Sequence, residues 1–239
     1  MPAAAMPMAV TARRGVSSLR AFREFPFVPV FVGANVTVWA GWQLANMRPG
    51  ARERREAVTF MRRHFMMSLE SVANGRLWTM VTANFSHYDF WHLALNSYML
   101  WMFGGQAARV LGGAGFVRLY LFGAAGCVVA ALGSDLLRFQ AFQQQGRRRP
   151  GRYTPTAHLG ASGAVNALVI FACALAPMQS WLIWGIIPMP ACVVGALFVG
   201  YDLYAAGSRD GVSHYGHLGG AAAGALYFLV FKRRMARRF

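Results

Sequence analysis

Polar and apolar positions alternate along this chain in blocks of about twenty. Long apolar runs fall at roughly 26–47, 91–111, 116–137, 159–177, 181–206 and 214–231. Most come near the ~20 residues that a helix needs to cross a bilayer. The pattern predicts six transmembrane helices, here helices one to six. Between helices one and two lies a long connection, 48–90. It opens with Arg52, Glu53, Arg54, Arg55 and Glu56, then turns amphipathic. Phe60, Met61, Phe65, Met66 and Leu69 are interleaved there with Arg62, Arg63 and Glu70. That spacing suits helix lying in the plane of the membrane interface. A second polar stretch, 138–158, holds Gln143–Gln145, Arg147–Arg149 and Pro150.

Composition agrees with the pattern. Hydrophobic residues make up 56% and charged residues 13%, against a usual ~45–50% and ~25% in soluble domains. The expected class is an all-α polytopic membrane protein, with a basic segment over 1–25, a six-helix core over 26–231 and a basic tail over 232–239. The formal charge is +16, from 24 basic and 8 acidic residues. A nucleic-acid interface would gather such charge on one solvated face. Here it sits between apolar runs and at the two ends, which reads as anchorage at lipid headgroups. No nucleic-acid partner is expected. The N-terminal segment carries Arg13, Arg14, Arg20 and Arg23, with Glu24 its single acid. That composition fits an organellar transit peptide; a basic tail inside a bacterial membrane is the alternative. Lys and Arg divide 13 to 11 between the two expected sides, so orientation stays open.

Cys127, Cys173 and Cys192 lie inside apolar runs without a ligand spacing, and read as small core residues rather than disulfides or metal ligands. Polar groups inside spans are functional candidates by default. Ser162 is near the start of helix four, His92 and Asn96 (i, i+4) open helix two, and His217 is near the start of helix six. In a six-span topology these three helices begin on one side. The four residues then share a depth of roughly 5–10 Å, at 1.5 Å per residue. Histidine is the usual base for a serine nucleophile. Gly220 and Gly224 follow His217 at i+3 and i+7, a face that lets membrane helices approach closely. Gly160 and Gly163 flank Ser162, and Gly163 is expected to relieve crowding against that face. The first turn of helix four offers free N–H groups, and His92 and Asn96 can donate, so together they make an oxyanion site.

Each piece alone favours a bland reading. Serine between glycines is common at helix contacts, and a lone GxxxG is usually packing. Nucleophile, base and donors at one depth on one side reverse those odds. His64 reads as a loop residue, His87 as a brace beneath the loop, and His158 and His214 as flanking groups that tune or orient partners. Asp202 is expected to pair locally or to sit near the far interface. With no acid placed beside His217, a Ser–His dyad is expected rather than a triad.

The constellation resembles the rhomboid intramembrane serine proteases. Gly160-Ala161-Ser162-Gly163, His92-Leu93-Ala94-Leu95-Asn96 and His217-Leu218-Gly219-Gly220 running on to Gly224 carry the likeness, which spans roughly 76–231. Phe85-Ser86-His87, Gly151-Arg152-Tyr153 and His214-Tyr215-Gly216-His217 look most like the mitochondrial, presenilin-associated rhomboid-like branch. The resemblance implies Ser162 as nucleophile and His217 as base. It implies His92, Asn96 and the Ser162 backbone N–H as oxyanion stabilisers, with no cofactor or metal. Substrates would be single-pass transmembrane proteins, and the site a mitochondrial inner membrane, with plastid or bacterial inner membranes as alternatives. Three departures stand out. Trp78 is followed by Thr79 where many members have Trp-Arg. Asn166 occupies the place, four residues after the serine, where many bacterial members carry an aromatic packed on the base. No span precedes residue 26, whereas the mitochondrial branch often has one. Two rival classes remain: a catalytically silent rhomboid-like adaptor that binds transmembrane helices, and a small transporter. The full set of Ser162, His217, His92 and Asn96 argues against the first. Clustering at one face argues against the second.

Overall fold

The computed structural model describes residues 27–146, 153, 155–183, 186–208 and 210–236. The chain is mostly helical. The basic segment 1–25 lies outside the described residues.

Helix α1 (Phe27–Asn46) realises the first apolar run and stops before Pro49. Helix α2 (Ala51–Phe65) follows with its polar residues outward and Met61 buried. Met61 packs with Trp42 and Ala45 of α1. The short α3 (Leu69–Ala73) opens on a capping box in which Ser68 and Ser71 satisfy each other's backbone N–H groups, as such boxes do at helix starts. A single turn, α4 (Thr79–Thr82), and a 3-10 turn (Ala83–Phe85) lead into α5 (Phe90–Met99), which Asp89 caps by accepting from the His92 N–H.

The second and third apolar runs are joined almost without a loop. A π-helical turn, Leu100–Gly104, links α5 to α6 (Gly105–Gly146). Gly112 breaks α6, with φ 73° and ψ 169°. This left-handed φ is open to glycine and strained for other residues, so one residue does what was expected of the segment 112–115. The helix also runs well past 137, taking the first part of the expected polar loop 138–158.

Helix α7 (Ser162–Leu175) is the buried centre of the molecule; ten of its fourteen residues are buried. Fully enclosed Phe116, Leu119 and Tyr120 of α6 and Ala164, Leu168 and Phe171 of α7 form one apolar cluster. Helix α9 (His214–Ala236) packs against both α6 and α7.

The fifth run differs from expectation. Over 180–190 the chain makes a two-stranded antiparallel ribbon, β1 (Ser180–Ile183) against β2 (Ile187–Pro190), with Trp181 opposite Met189. Helix α8 occupies only Ala191–Tyr204. Pro188 and Pro190 explain it: each lacks the N–H that a helix interior requires, and Pro190 ends the ribbon in the N-cap position of α8. Cys127 and Cys173 are at least partly enclosed, but Cys192 is exposed on α8, against the expectation of three core cysteines.

Phe27–Asn46 and Phe90–Gln144 are each long and apolar enough to cross a membrane, the latter divided at Gly112. Ser162–Leu175 and Ala191–Tyr204 are apolar but shorter.

Candidate active site

Ser162 is the first residue of α7. The loop that presents it is held from three directions. Met67 and His158 exchange backbone hydrogen bonds of 2.9 and 2.7 Å, tying this loop to the α2–α3 connection. The Gly160 N–H donates to the Ala83 carbonyl at 2.9 Å. The Ala161 N–H donates to His87 Nε2 at 3.3 Å. His87 is therefore the brace expected of it, and it is fully buried. Burial and the neighbouring His92 push its pKa down to about 3, so it stays neutral and able to accept.

Gly160 has φ 123°, and a Cβ there would lie 2.8 Å from His92 Cε1 and 3.0 Å from His92 Nε2. Glycine is thus required twice, by conformation and by the imidazole above it. Through Gly160, His92 sits over the Ser162 loop. Its ring meets His87 edge to face at 5.0 Å. Asn96 is buried one turn along α5, and its amide donates to the His92 carbonyl at 2.9 Å.

His217 comes from the first turn of α9, where its N–H bonds the Ser213 carbonyl. His217 Nε2 lies 2.8 Å from Ser162 Oγ. Glycine makes the approach possible. A Cβ at Gly220 would collide with the Gly163 carbonyl, and one at Gly224 with the Ala167 carbonyl. Gly163 serves two contacts: a side chain there would meet Cys127 of α6 and come within 3.5 Å of the Gly216 carbonyl of α9, so its bareness seats α7 on α6 as well as against α9.

The expectation of a histidine without an acid does not hold. Asp202, near the end of α8, places Oδ1 3.0 Å from His217 Nδ1. A carboxylate only accepts, so Nδ1 carries the proton. In the neutral ring Nε2 then holds a lone pair toward the Ser162 hydroxyl, which is the base tautomer. Asp202 is itself well held. His214 Nδ1 is 2.8 Å from the same Oδ1, and the Asn166 amide donates to Oδ2 at 3.5 Å. Asn166, four residues after the serine, thus supports the acid that orients the base. His214 is enclosed, with Nε2 3.0 Å from Asp210 Oδ2. Hydrogen bonds from His214 and the Val212 N–H hold the exposed Asp210 carboxyl at about 2. With carboxylates on both ring nitrogens, His214 must donate from both, as an imidazolium. A chain Ser162–His217–Asp202–His214–Asp210 therefore runs from the partly buried serine to the surface.

His158 does not join this chain; it pairs with the buried Asp135 at 2.8 Å. Asp202, His214 and His217 offer ligand-type atoms within 4.8 Å of one another. The Nδ1 of each of the two histidines is at hydrogen-bond distance from Asp202 Oδ1, and the set reads as a proton network.

The sequence held a signal for Asp202. It is the one acid in the apolar run 181–206, and an ionisable group in a span is suspect by default. In the expected topology helix five ends on the face where helix six starts, so Asp202 belonged with His217. His214 and Asp210 were harder to read, because their pairing depends on how the short connection between α8 and α9 folds.

A serine, a histidine in its base tautomer and an aspartate in line are the parts of a hydrolytic centre. A family model described as the Rhomboid domain matches residues 74–234. This chain belongs to the rhomboid family. RHOMBOID-like protein 12, mitochondrial, of Arabidopsis thaliana is 34% identical over 201 residues, covering 81% of this chain and 54% of that protein. Rhomboid protein 1, mitochondrial, of Saccharomyces cerevisiae is 28% identical, over 86% of this chain and 54% of its own. The human presenilin-associated rhomboid-like protein, mitochondrial, is 32% identical over 164 residues, 65% of this chain and 39% of that one. The chain spans about half the length of the curated relatives it matches. The rhomboid family is membrane-embedded, and these relatives are mitochondrial.

Proposed function

We propose that this rhomboid is an intramembrane serine endopeptidase that cuts single-pass transmembrane proteins, with Ser162 as nucleophile and His217 as general base. The carrying observation is that His217 stands between Ser162 Oγ and Asp202 Oδ1, one on each ring nitrogen, at 2.8 and 3.0 Å. In this reading Ser162 Oγ attacks the scissile carbonyl carbon as its proton passes to His217 Nε2. The oxyanion is met by the Ser162 N–H in the first turn of α7, where the helix dipole favours negative charge. His92, over Gly160, and Asn96 complete that site. Asn96 must turn from the His92 carbonyl to do so. On collapse the leaving amine takes the proton from His217. Water then releases the acyl group from Ser162 by the same route, and its proton is carried by His217. Asp202 is a positioning residue, acting through His217.

We place the core as a six-span bundle in the mitochondrial inner membrane. The mitochondrial relatives and the Arg-bearing segment 1–25 support that placement. The test is reconstitution of the full chain in liposomes with a panel of single-pass substrates, comparing wild type with Ser162→Ala. Cleavage by wild type and none by the variant is expected. Equal cleavage by both would remove the assignment of the nucleophile.

A further inference from the structure

A second constellation lies away from the serine, on the α2–α4 segment. Thr59, Arg62 and Arg63 share one face of α2, at i, i+3 and i+4. Asn74 and Arg76 face them from the turn after α3, where Gly75 takes φ 75°. Together they line an open groove of about 580 Å³, with three guanidinium groups and no carboxylate. The groove is built on a hydrogen-bonded frame. The Arg76 N–H bonds the Ser71 carbonyl, the Thr79 hydroxyl donates to the Arg76 carbonyl at 2.7 Å, and Ser71 and Thr79 share a 3.1 Å contact. Among the described residues, none of these arginines has a carboxylate partner. Arg76 Nε is moreover buried with no hydrogen-bond partner.

A buried charged donor left unpaired is costly. Guanidinium forks pair bidentately with the oxygens of a phosphate, as they do with those of a carboxylate. The surroundings say what carries it. Phe60, Leu77, Trp78 and Val81 are each about half exposed or more beside the groove residues in sequence. Phe60, His64 and Trp78 stack in a ladder joining α2 to the α4 turn, with ring centroids 4.5 and 5.7 Å apart. A soluble anion has no use for this apolar surface. A phospholipid uses both parts, its phosphate among the arginines and its acyl chains along the aromatic ladder.

We propose that the groove of Arg62, Arg63 and Arg76 binds the phosphate of an anionic phospholipid headgroup. The site rests on the membrane placement proposed above and not on the proteolytic chemistry. It is joined to the serine loop by backbone, since Met67, just after α2, pairs with His158.

The experiment is native mass spectrometry of the full chain in detergent, titrated with phosphatidylglycerol, with phosphatidylcholine, and with inorganic phosphate. The variants are Arg62→Gln/Arg63→Gln/Arg76→Gln, the single Arg62→Gln, and a charge-matched control, Arg52→Gln/Arg54→Gln/Arg55→Gln, at the other end of α2. Wild type should retain phosphatidylglycerol over phosphatidylcholine, and inorganic phosphate should bind far more weakly. The triple groove variant should lose affinity by about tenfold or more, as expected for lost charge-assisted hydrogen bonds. Arg62→Gln should lose severalfold and speaks for the groove if the triple variant does not fold. The control should stay within about twofold. Equal losses in groove and control variants would reduce the site to general surface charge and overturn the proposal. Inorganic phosphate competing at the lipid's own affinity would also overturn it, in favour of a soluble anion. The readout is lipid retention, so its failure leaves the protease reading untouched.

Discussion

Asp202 Oδ1 accepts from His217 Nδ1 at 3.0 Å, and the same oxygen accepts from His214 Nδ1 at 2.8 Å. One carboxylate oxygen thus serves two imidazoles, one facing Ser162 and one facing the surface carboxylate Asp210. The donors fix Asp202, and Asp202 fixes the tautomer of His217.

Asp202→Asn should lower kcat by on the order of 10²–10⁴, because an amide can present an N–H to His217 and stabilise the wrong tautomer. KM should change little. The check is steady-state cleavage in liposomes. A fall in kcat no larger than the loss of folded protein would make Asp202 a structural residue only.

His214→Gln removes the imidazolium that holds Asp202 on one side and Asp210 on the other. Hydrogen bonds between charged groups contribute about 1.5–3 kcal/mol, so a fall in kcat of roughly 10- to 100-fold is expected. Combined with Asp202→Asn it should add little, since both act on His217 along one path. Fully additive losses in the double-mutant cycle would show that His214 acts independently.

Asn96→Ala and His92→Ala should each reduce turnover by about 10²–10³ while leaving substrate affinity near wild type, as for donors engaged only in the transition state. In the proposed site the two would meet one oxyanion beside a backbone N–H and partly cover for each other, so the double variant should lose more than the product of the single losses. Activity lost only in proportion to thermal stability would make both residues interhelical hydrogen-bond partners.

Gly220→Ala should destabilise by about 1–3 kcal/mol or more, because its methyl collides with the Gly163 carbonyl. It should also open the Ser162–His217 distance, so activity should fall further than stability. Gly133→Ala, where no atom lies within 4 Å of the added carbon, is the matched control. Thermal unfolding and cleavage rate, measured together, decide the point.

The buried His87, with a pKa near 3 in the fold, links stability to pH. Its unfolded value is about 6.5. Between these values the unfolded chain binds the extra proton, so stability falls as pH falls. The contribution of His87 is whole above about pH 6.5, declines by about 1.4 kcal/mol per unit below it, and is gone near pH 3. Unfolding of wild type and His87→Gln, followed from pH 7 to 4, should show a shallower decline for the variant. Parallel curves would assign the acid sensitivity to other groups.

Several features were determined by sequence alone. Apolar block lengths marked all six runs as helical, and five are helical over most of their length, because burying helix backbone in apolar surroundings leaves little other choice. The grouping of Ser162, His217, His92 and Asn96 followed from where each fell within its run. Gly220 and Gly224 announced a close helix contact through their spacing. The sequence also contains the proline pair 188 and 190 that cuts the fifth run, a signal that apolar run length by itself does not register. Only the tertiary structure decided the rest. Asp202 and His217 are 15 residues apart on different helices, and no local periodicity says that α8 brings one onto the other. Gly163 shows the same limit: the sequence says that it is small, but only the packed α6 shows that Cys127 fills the space. Hydrophobic periodicity records which faces are buried, whereas hydrogen bonds between helices depend on rotation and depth, which are fixed only when all the helices pack together.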